Sequence, residues 1–296
     1  MTGFRSGFIG ILGRPNVGKS TLLNALCGEK LAIISSKPQT TRNRILGVLH
    51  RRGSQLVFLD TPGMHELDRA LNRYMQGVIS SVIQDVDAAV YMVDPTRAHG
   101  REDRMALQAL PSAAGKPVLL AINKVDRAGE RLVRERIDQI LAEYEFDGVF
   151  SISALKKIGL EPLVERLTEL VPEGVPYFPE DMVTDQPLSF SLGEIVREKL
   201  FEETQEEIPY ATAVVVEDIA TREDGLVEVS AVIYVERETQ KGIIIGKGGR
   251  MLRKVGSAAR VEMEEKLCKR VFLDLWVKVK KGWTDREGLL RQLGYR

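Results

Sequence analysis

The chain has 296 residues, of which 44% are hydrophobic and 28% charged, with 42 Lys and Arg against 42 Asp and Glu. Two cysteines exclude a disulfide framework and fit a reducing cytosol, and no apolar run approaches the ~18 residues that read as a membrane span. The length suits two domains with real cores, and the zero net charge excludes a uniformly basic nucleic-acid binder.

From the N-terminus, the apolar stretch that starts at Phe8 is too short for a secretory leader. Residues 8–12 predict a buried strand, and Leu22, Leu23 and Leu26 give residues 19–27 helical spacing. Between them Gly13, Arg14, Pro15, Asn16, Val17, Gly18, Lys19 and Ser20, followed by Thr21, fit the phosphate-binding pattern G-x-x-x-x-G-K-[ST]. The glycines let backbone N–H groups turn inward around phosphate oxygens, and the helix N-terminus adds partial positive charge. Lys19 is expected to reach the β- and γ-phosphates and Ser20 to bind Mg²⁺.

Residues 37–42 (Lys-Pro-Gln-Thr-Thr-Arg) lack apolar periodicity and read as a mobile switch. One of its threonines is expected to complete the Mg²⁺ shell, Thr41 in preference to Thr40. Leu56 to Leu59 form another apolar run. It ends in Asp60, Thr61, Pro62 and Gly63, with Asp60 expected to hold Mg²⁺ through water and the Gly63 amide to sense the γ-phosphate. Met64 follows, where many GTPases place a water-orienting glutamine. Either intrinsic hydrolysis is slow or another group assists. Asn16 is the candidate, because an asparagine there helps potassium-activated GTPases hold a monovalent cation near the β/γ-phosphates. Thr41, Asn16 and Lys19 are therefore the candidate catalytic groups and K⁺ the candidate activator. His65 reads as a solvated loop residue, and the three histidines form no metal-ligand spacing.

The apolar run 117–122 delivers Asn123, Lys124, Val125 and Asp126 to a strand's C-terminal end, where open α/β sheets bind ligands. The Asp126 carboxylate matches the ring N–H and exocyclic amine of guanine. Adenine lacks that donor pair and leaves a buried charge unpaired. Asn123 is expected to brace neighbouring loops and the Lys124 stem to cover the base. Ser153 and Ala154 follow one more apolar strand and offer a backbone amide to the guanine carbonyl, although Leu155 departs from the Ser-Ala-Lys of many small GTPases.

Pro172, Gly174, Pro176, Pro179 and Pro187 break periodicity and read as a linker. Beyond it the pattern predicts helix, strand, strand, helix, helix, strand. An acidic amphipathic helix covers 188–207, strands cover 211–219 and 226–235, and residues 241–267 are helical with one interruption. A strand follows at 271–279, then a short helix from Asp285. Charge is unevenly spread: residues 181–240 carry 4 Lys/Arg against 15 Asp/Glu, whereas 241–296 carry 15 against 6. The interruption is Gly246, Lys247, Gly248 and Gly249, followed by Arg250. Three glycines in a helical stretch cost about 1 kcal/mol each against alanine, so they serve geometry. A G-x-x-G loop between two helices lets a nucleic-acid backbone approach, with Lys247 and helix amides meeting phosphate.

A phosphate-loop GTPase domain followed by such a loop resembles the Era family of bacterial ribosome-assembly GTPases, over essentially the whole chain. The resemblance implies an α/β fold: a GTPase domain (1–172) with a mostly parallel sheet flanked by helices, a linker (173–187), and a smaller α+β type II KH domain (188–296). It implies hydrolysis of GTP to GDP and phosphate with Mg²⁺, and a monomer. It also implies binding to the 3′ end of small-subunit ribosomal RNA and to the small ribosomal subunit during its assembly. The expected location is the cytoplasm, with peripheral contact at the inner membrane. Two other readings compete: a metabolic kinase, which the Asn123–Asp126 motif disfavours, and a GTP-gated protein- or membrane-interaction module in cell-cycle control.

Overall fold

The computed structural model describes residues 3–35, 37, 40–63, 70–110 and 115–295. The chain divides into two compact units, Met1–Ala32 with Thr41–Leu67 and Met75–Asp185, and Ile33–Thr40 with Asp68–Tyr74 and Gln186–Arg296.

The first unit is a six-stranded sheet with the order β2-β3-β1-β4-β5-β6. The strands are β1 (Arg5–Leu12), β2 (Ile45–Arg51), β3 (Ser54–Asp60), β4 (Ala88–Val93), β5 (Val118–Ile122) and β6 (Gly148–Ser151). Only β2 runs antiparallel, paired to β3. The central strands are near-continuous apolar runs because both faces are covered, as parallel sheets require. One face packs Ile9, Ile11, Phe58, Val90 and Leu119 against α1 (Lys19–Cys27) and α5 (Leu160–Leu170). The other packs Leu12, Tyr91, Leu120 and Ile122 against α2 (Ala70–Asp85), α3 (Arg101–Ala109) and α4 (Glu130–Leu141). Burying each such side chain contributes about 1.5–3 kcal/mol. This doubly wound plan brings the C-terminal ends of β1, β3, β4 and β5 to one edge, where the phosphate loop, Asp60, Asp94 and Asn123 all emerge. Cys27 packs half-buried against β2, and burial, with Glu29 nearby, pushes its thiol up to about 12.

Residues 175–185, within the stretch the sequence marks as a linker, run along the open edge of this sheet. The Val48 N–H donates to the Val183 carbonyl (2.8 Å), and Thr184 Oγ1 donates to the Leu46 carbonyl (2.7 Å). Gln55 holds Tyr177 and Phe178 by three further hydrogen bonds, 2.7–3.0 Å long.

The second unit runs α6 (Leu188–Glu203), β7 (Ala213–Thr221), β8 (Val227–Val235), α7 (Glu238–Ile245), α8 (Arg250–Leu267), β9 (Val271–Val279) and α9 (Glu287–Gln292). Its sheet order is β7-β8-β9, with β7 antiparallel and β9 parallel to β8. Leu192, Val196, Val229, Ile233, Ile244, Val255 and Ala259 form its core. The acidic helix expected to reach residue 207 ends at Glu203. Thr204 takes an extended backbone and its hydroxyl bonds the Leu200 carbonyl, while the Lys37 ammonium bonds the carbonyls of Phe201 and Thr204. A cation on terminal carbonyls is a natural helix stop. Two more bonds seat the same segment: the Ile34 N–H on Glu198 Oε1 (2.9 Å), and Arg197 on the Thr40 carbonyl. Among the described residues, no helix is long and apolar enough to cross a membrane.

Candidate nucleotide and nucleic-acid sites

The phosphate loop turns between β1 and α1, and the carbonyls of residues 13–17 are each held by a side-chain donor. Lys19 Nζ donates to the carbonyls of Gly13 (3.0 Å) and Arg14 (3.1 Å), and Arg97 donates to that of Pro15 (3.3 Å). Lys124 Nζ donates to the Asn16 carbonyl (2.7 Å) and Asn123 Nδ2 to the Val17 carbonyl (2.7 Å). Peptide planes so anchored aim their N–H groups at the cradle, which is what a phosphate needs. Asn16 adopts a left-handed backbone (φ 62°), as asparagine tolerates. Thr21 continues α1.

Beside the loop, three side chains converge. Ser20 Oγ lies 2.6 Å from Asp60 Oδ2 and 2.8 Å from Thr41 Oγ1, and Thr41 Oγ1 lies 3.3 Å from that same carboxylate oxygen. Thr40 points elsewhere, its hydroxyl donating to the Lys37 carbonyl (2.8 Å). Asp60 is fully buried, and among the described residues its Oδ1 has no hydrogen-bond partner. Burial raises its carboxyl to about 6, against the opposing pull of Lys19. Burial likewise lowers Lys19 to about 8, against Asp60. An orphaned buried carboxylate oxygen beside two hydroxyls is an oxygen-donor set that suits Mg²⁺. Thr61 anchors its turn by a hydroxyl bond to the Ile11 carbonyl (2.8 Å). After Pro62, Gly63 lies so close to the loop that a Cβ there would meet the Pro15 ring and backbone at 2.6–2.8 Å. Met64 and His65, like Pro38 and Gln39, lie outside the described residues.

Asn123 ties the base-side loops together. It is buried, and while Nδ2 holds Val17, its Oδ1 accepts the Ala154 N–H (2.9 Å). Lys124 stands in a left-handed conformation (φ 66°), its ammonium 2.7 Å from Asp94 Oδ2, and starts the short turn that carries Asp126. Ser153 pairs with Ile158 across the following loop.

Asp94 went unread in the sequence. Burial raises its carboxyl, but bonds from Lys124 and Thr96 outweigh that and hold it below its ordinary value. The signal was present: like Asn123 after β5, Asp94 is the first charged or amide residue after the apolar run of its strand, β4. Arg97 and Asp103 had no such signal, since neither ends a strand or belongs to a motif.

In the second unit Gly246, Lys247, Gly248 and Gly249 form the connection between α7 and α8. Its glycines have φ of 69°, 62° and 75°, a path only glycine follows without strain. Nothing lies within 4 Å of a Cβ built on Gly248, so the loop's surface is open. Lys247 and Arg250 are exposed and among the described residues have no ion-pair partner, while Arg253 braces the Gly248 carbonyl (2.6 Å).

Residues 8–124 match the family model described as a 50S ribosome-binding GTPase, and residues 207–284 match a KH domain model. The GTPase Era of Geobacter metallireducens is 50% identical over 99% of this chain and 98% of its own length, and that of Caldanaerobacter subterraneus is 47% identical over the same shares. An Aquifex aeolicus Era variant solved with GDP·AlF4⁻ superposes with TM-score 0.94 at 40% identity, covering 98% of this chain and 99% of that one. An Era solved with MgGDPNP and nucleotides 1506–1542 of 16S ribosomal RNA superposes with TM-score 0.95 at 40% identity, covering 99% of each. With a GTPase sheet, a KH domain and these full-length likenesses, the chain belongs to the Era family of GTPases.

Proposed function

We propose that this chain is a GTP-hydrolysing switch that binds the 3′ end of small-subunit ribosomal RNA and acts in assembly of that subunit. The observation that carries it is one chain joining the Ser20–Thr41–Asp60 cluster on a phosphate loop to an open, basic G-x-x-G loop. The likeness to an Era solved with 16S ribosomal RNA supports the choice of RNA.

In the nucleotide site, the backbone N–H groups of residues 16–20 hold the phosphates, and Lys19 neutralises their developing charge. Ser20 and Thr41 would hold Mg²⁺ directly and Asp60 through water, and the ion would supply positive charge to offset that of the transferred group. Asp126 reads guanine, with Ser153 and Ala154 offering amides to its carbonyl. Met64 offers only a weakly accepting thioether and cannot orient water as a glutamine amide does, so intrinsic turnover is slow. Asn16 supports K⁺ as the activator; turnover several-fold faster in KCl than in NaCl at matched ionic strength supports this, and equal rates refute it.

The deciding experiment measures affinity for a small-subunit rRNA 3′-end oligonucleotide with GDP and with a non-hydrolysable GTP analogue. Tighter binding with the analogue supports the switch. Equal affinity removes the coupling, and no RNA binding favours the protein- or membrane-interaction module. Cytoplasmic placement with peripheral contact at the inner membrane completes the proposal, and co-sedimentation with anionic vesicles tests that contact.

A further inference from the structure

Four of the five bonded carbonyls of the phosphate loop are held by motif residues: Lys19, Asn123 and Lys124. The rest of the outer support comes from the stretch 94–103, which belongs to no nucleotide motif. Its strongest element is Asp103 in the first turn of α3. Asp103 Oδ2 accepts a hydrogen bond from Arg14 Nη1 at 2.6 Å and from the Gly100 N–H at 2.9 Å. Arg14 Nη1 also donates to the Ala98 carbonyl at 3.1 Å. Both side chains of the pair are almost buried, at 11% and 3% exposure. The Asp103 carbonyl in turn accepts the hydroxyl of Tyr91, a fully buried residue of β4, at 3.1 Å. A continuous path therefore runs from the sheet core through Asp103 to the second residue of the loop. The Arg14 charge, within the phosphate-binding motif, is matched by the Asp103 carboxylate.

We propose that Asp103 is a positioning residue of the phosphate loop, acting through Arg14 to hold residues 13–16 in their nucleotide-binding arc. The pair is an ion pair in a poorly solvated place, where removing one partner strands the other's charge. Without its partner the guanidinium no longer anchors the loop, and residues 13–16 lose the tie that fixes their arc. Two neighbours share the region without replacing the pair: His99, with Nδ1 3.9 Å from Asp103 and Nε2 3.0 Å from Glu143, and Arg104, 4.0 Å from Glu143.

The test is the release rate of fluorescent GDP from the full chain carrying Asp103→Asn, Arg14→Gln, both changes, or Asp103→Glu. It rests on the reading that this loop holds a guanine nucleotide; wild-type chain that fails to bind GDP overturns both, whereas the outcomes below bear on Asp103 alone. Each single variant is expected to release GDP roughly tenfold to hundredfold faster. The double variant should be no faster than the faster single, because both remove one interaction. Asp103→Glu, which keeps the charge and the reach, should return to within about threefold of wild type. Unchanged release, multiplicative effects in the double variant, or slower release in Asp103→Asn each overturn the proposal. The last outcome would make Arg14 a phosphate ligand held back by Asp103. Should Asp103→Asn fail to fold, Arg14→Gln and Asp103→Glu decide the matter by the same criteria.

Discussion

Replacing Asn123 by alanine removes a side chain that grips two loops at once. Its amide donates to the Val17 carbonyl at 2.7 Å and accepts from the Ala154 N–H at 2.9 Å, in a place only 2% exposed. Both backbone groups lose their partners, and each stranded group costs about 1–3 kcal/mol. Water entering the space left by the amide recovers part of this, leaving a loss of about 3 kcal/mol. For a unit of this size each kcal/mol lowers the melting midpoint by about 2–4 °C, so the expected drop is roughly 6–12 °C. Calorimetry on the full chain resolves it, reading the transition that GDP shifts. GDP affinity should fall in parallel, because the phosphate and base loops lose their common tie. A midpoint within 2 °C of wild type, with GDP binding within about threefold, would refute the idea that this side chain joins the two halves of the site.

Three further outcomes are expected. Asp126→Asn should lose its preference for guanine and accept xanthine nucleotides; undiminished GTP selectivity in competition binding would overturn the base-reading role. Asp60 titrates near 6 in the folded chain, above its ordinary value near 3.9. The folded state thus holds a proton the unfolded state has lost, and ligand-free stability falls as pH rises between those values. Melting in EDTA from pH 4.5 to 7 should show this slope in wild type and lose it in Asp60→Asn; identical slopes would assign it elsewhere. Gly248→Asp meets no clash in its own fold but places a carboxylate on the open loop at φ 62°. RNA affinity should fall more than tenfold with the salt dependence flattened, and unchanged affinity would put the RNA on another surface.

The nucleotide site was legible because its chemistry is local. Gly13–Ser20, Asp60 and Asn123–Asp126 are each a short run at the end of an apolar strand, so composition fixes the strand and the first polar residues fix the site. The second unit's element order was legible for the same reason, since β-branched runs and a glycine interruption dominate residues 211–279. What stayed hidden depends on tertiary pairing. Asp103 looks like any acid in a helix's first turn until β4 supplies Tyr91 and the loop supplies Arg14. The end of α6 at Glu203 depends on Lys37, more than 160 residues earlier. Residues 175–185 look like linker because prolines erase periodicity, yet their backbone groups find partners on β2 and β3.

That edge pairing bears on how the chain is made. A sheet margin with free N–H and C=O groups is a template for other chains. On β2 the template is blocked only when Val183 and Thr184 arrive. During synthesis, strands β1 to β6 emerge first, and the margin stays open until residue 184 follows. A fragment stopped at residue 172 keeps all six strands but not their guard, and is prone to sheet-to-sheet self-association; one stopped at Asp185 carries it. The proline-rich stretch thus covers, in cis, the open sheet margin of the domain made just before it.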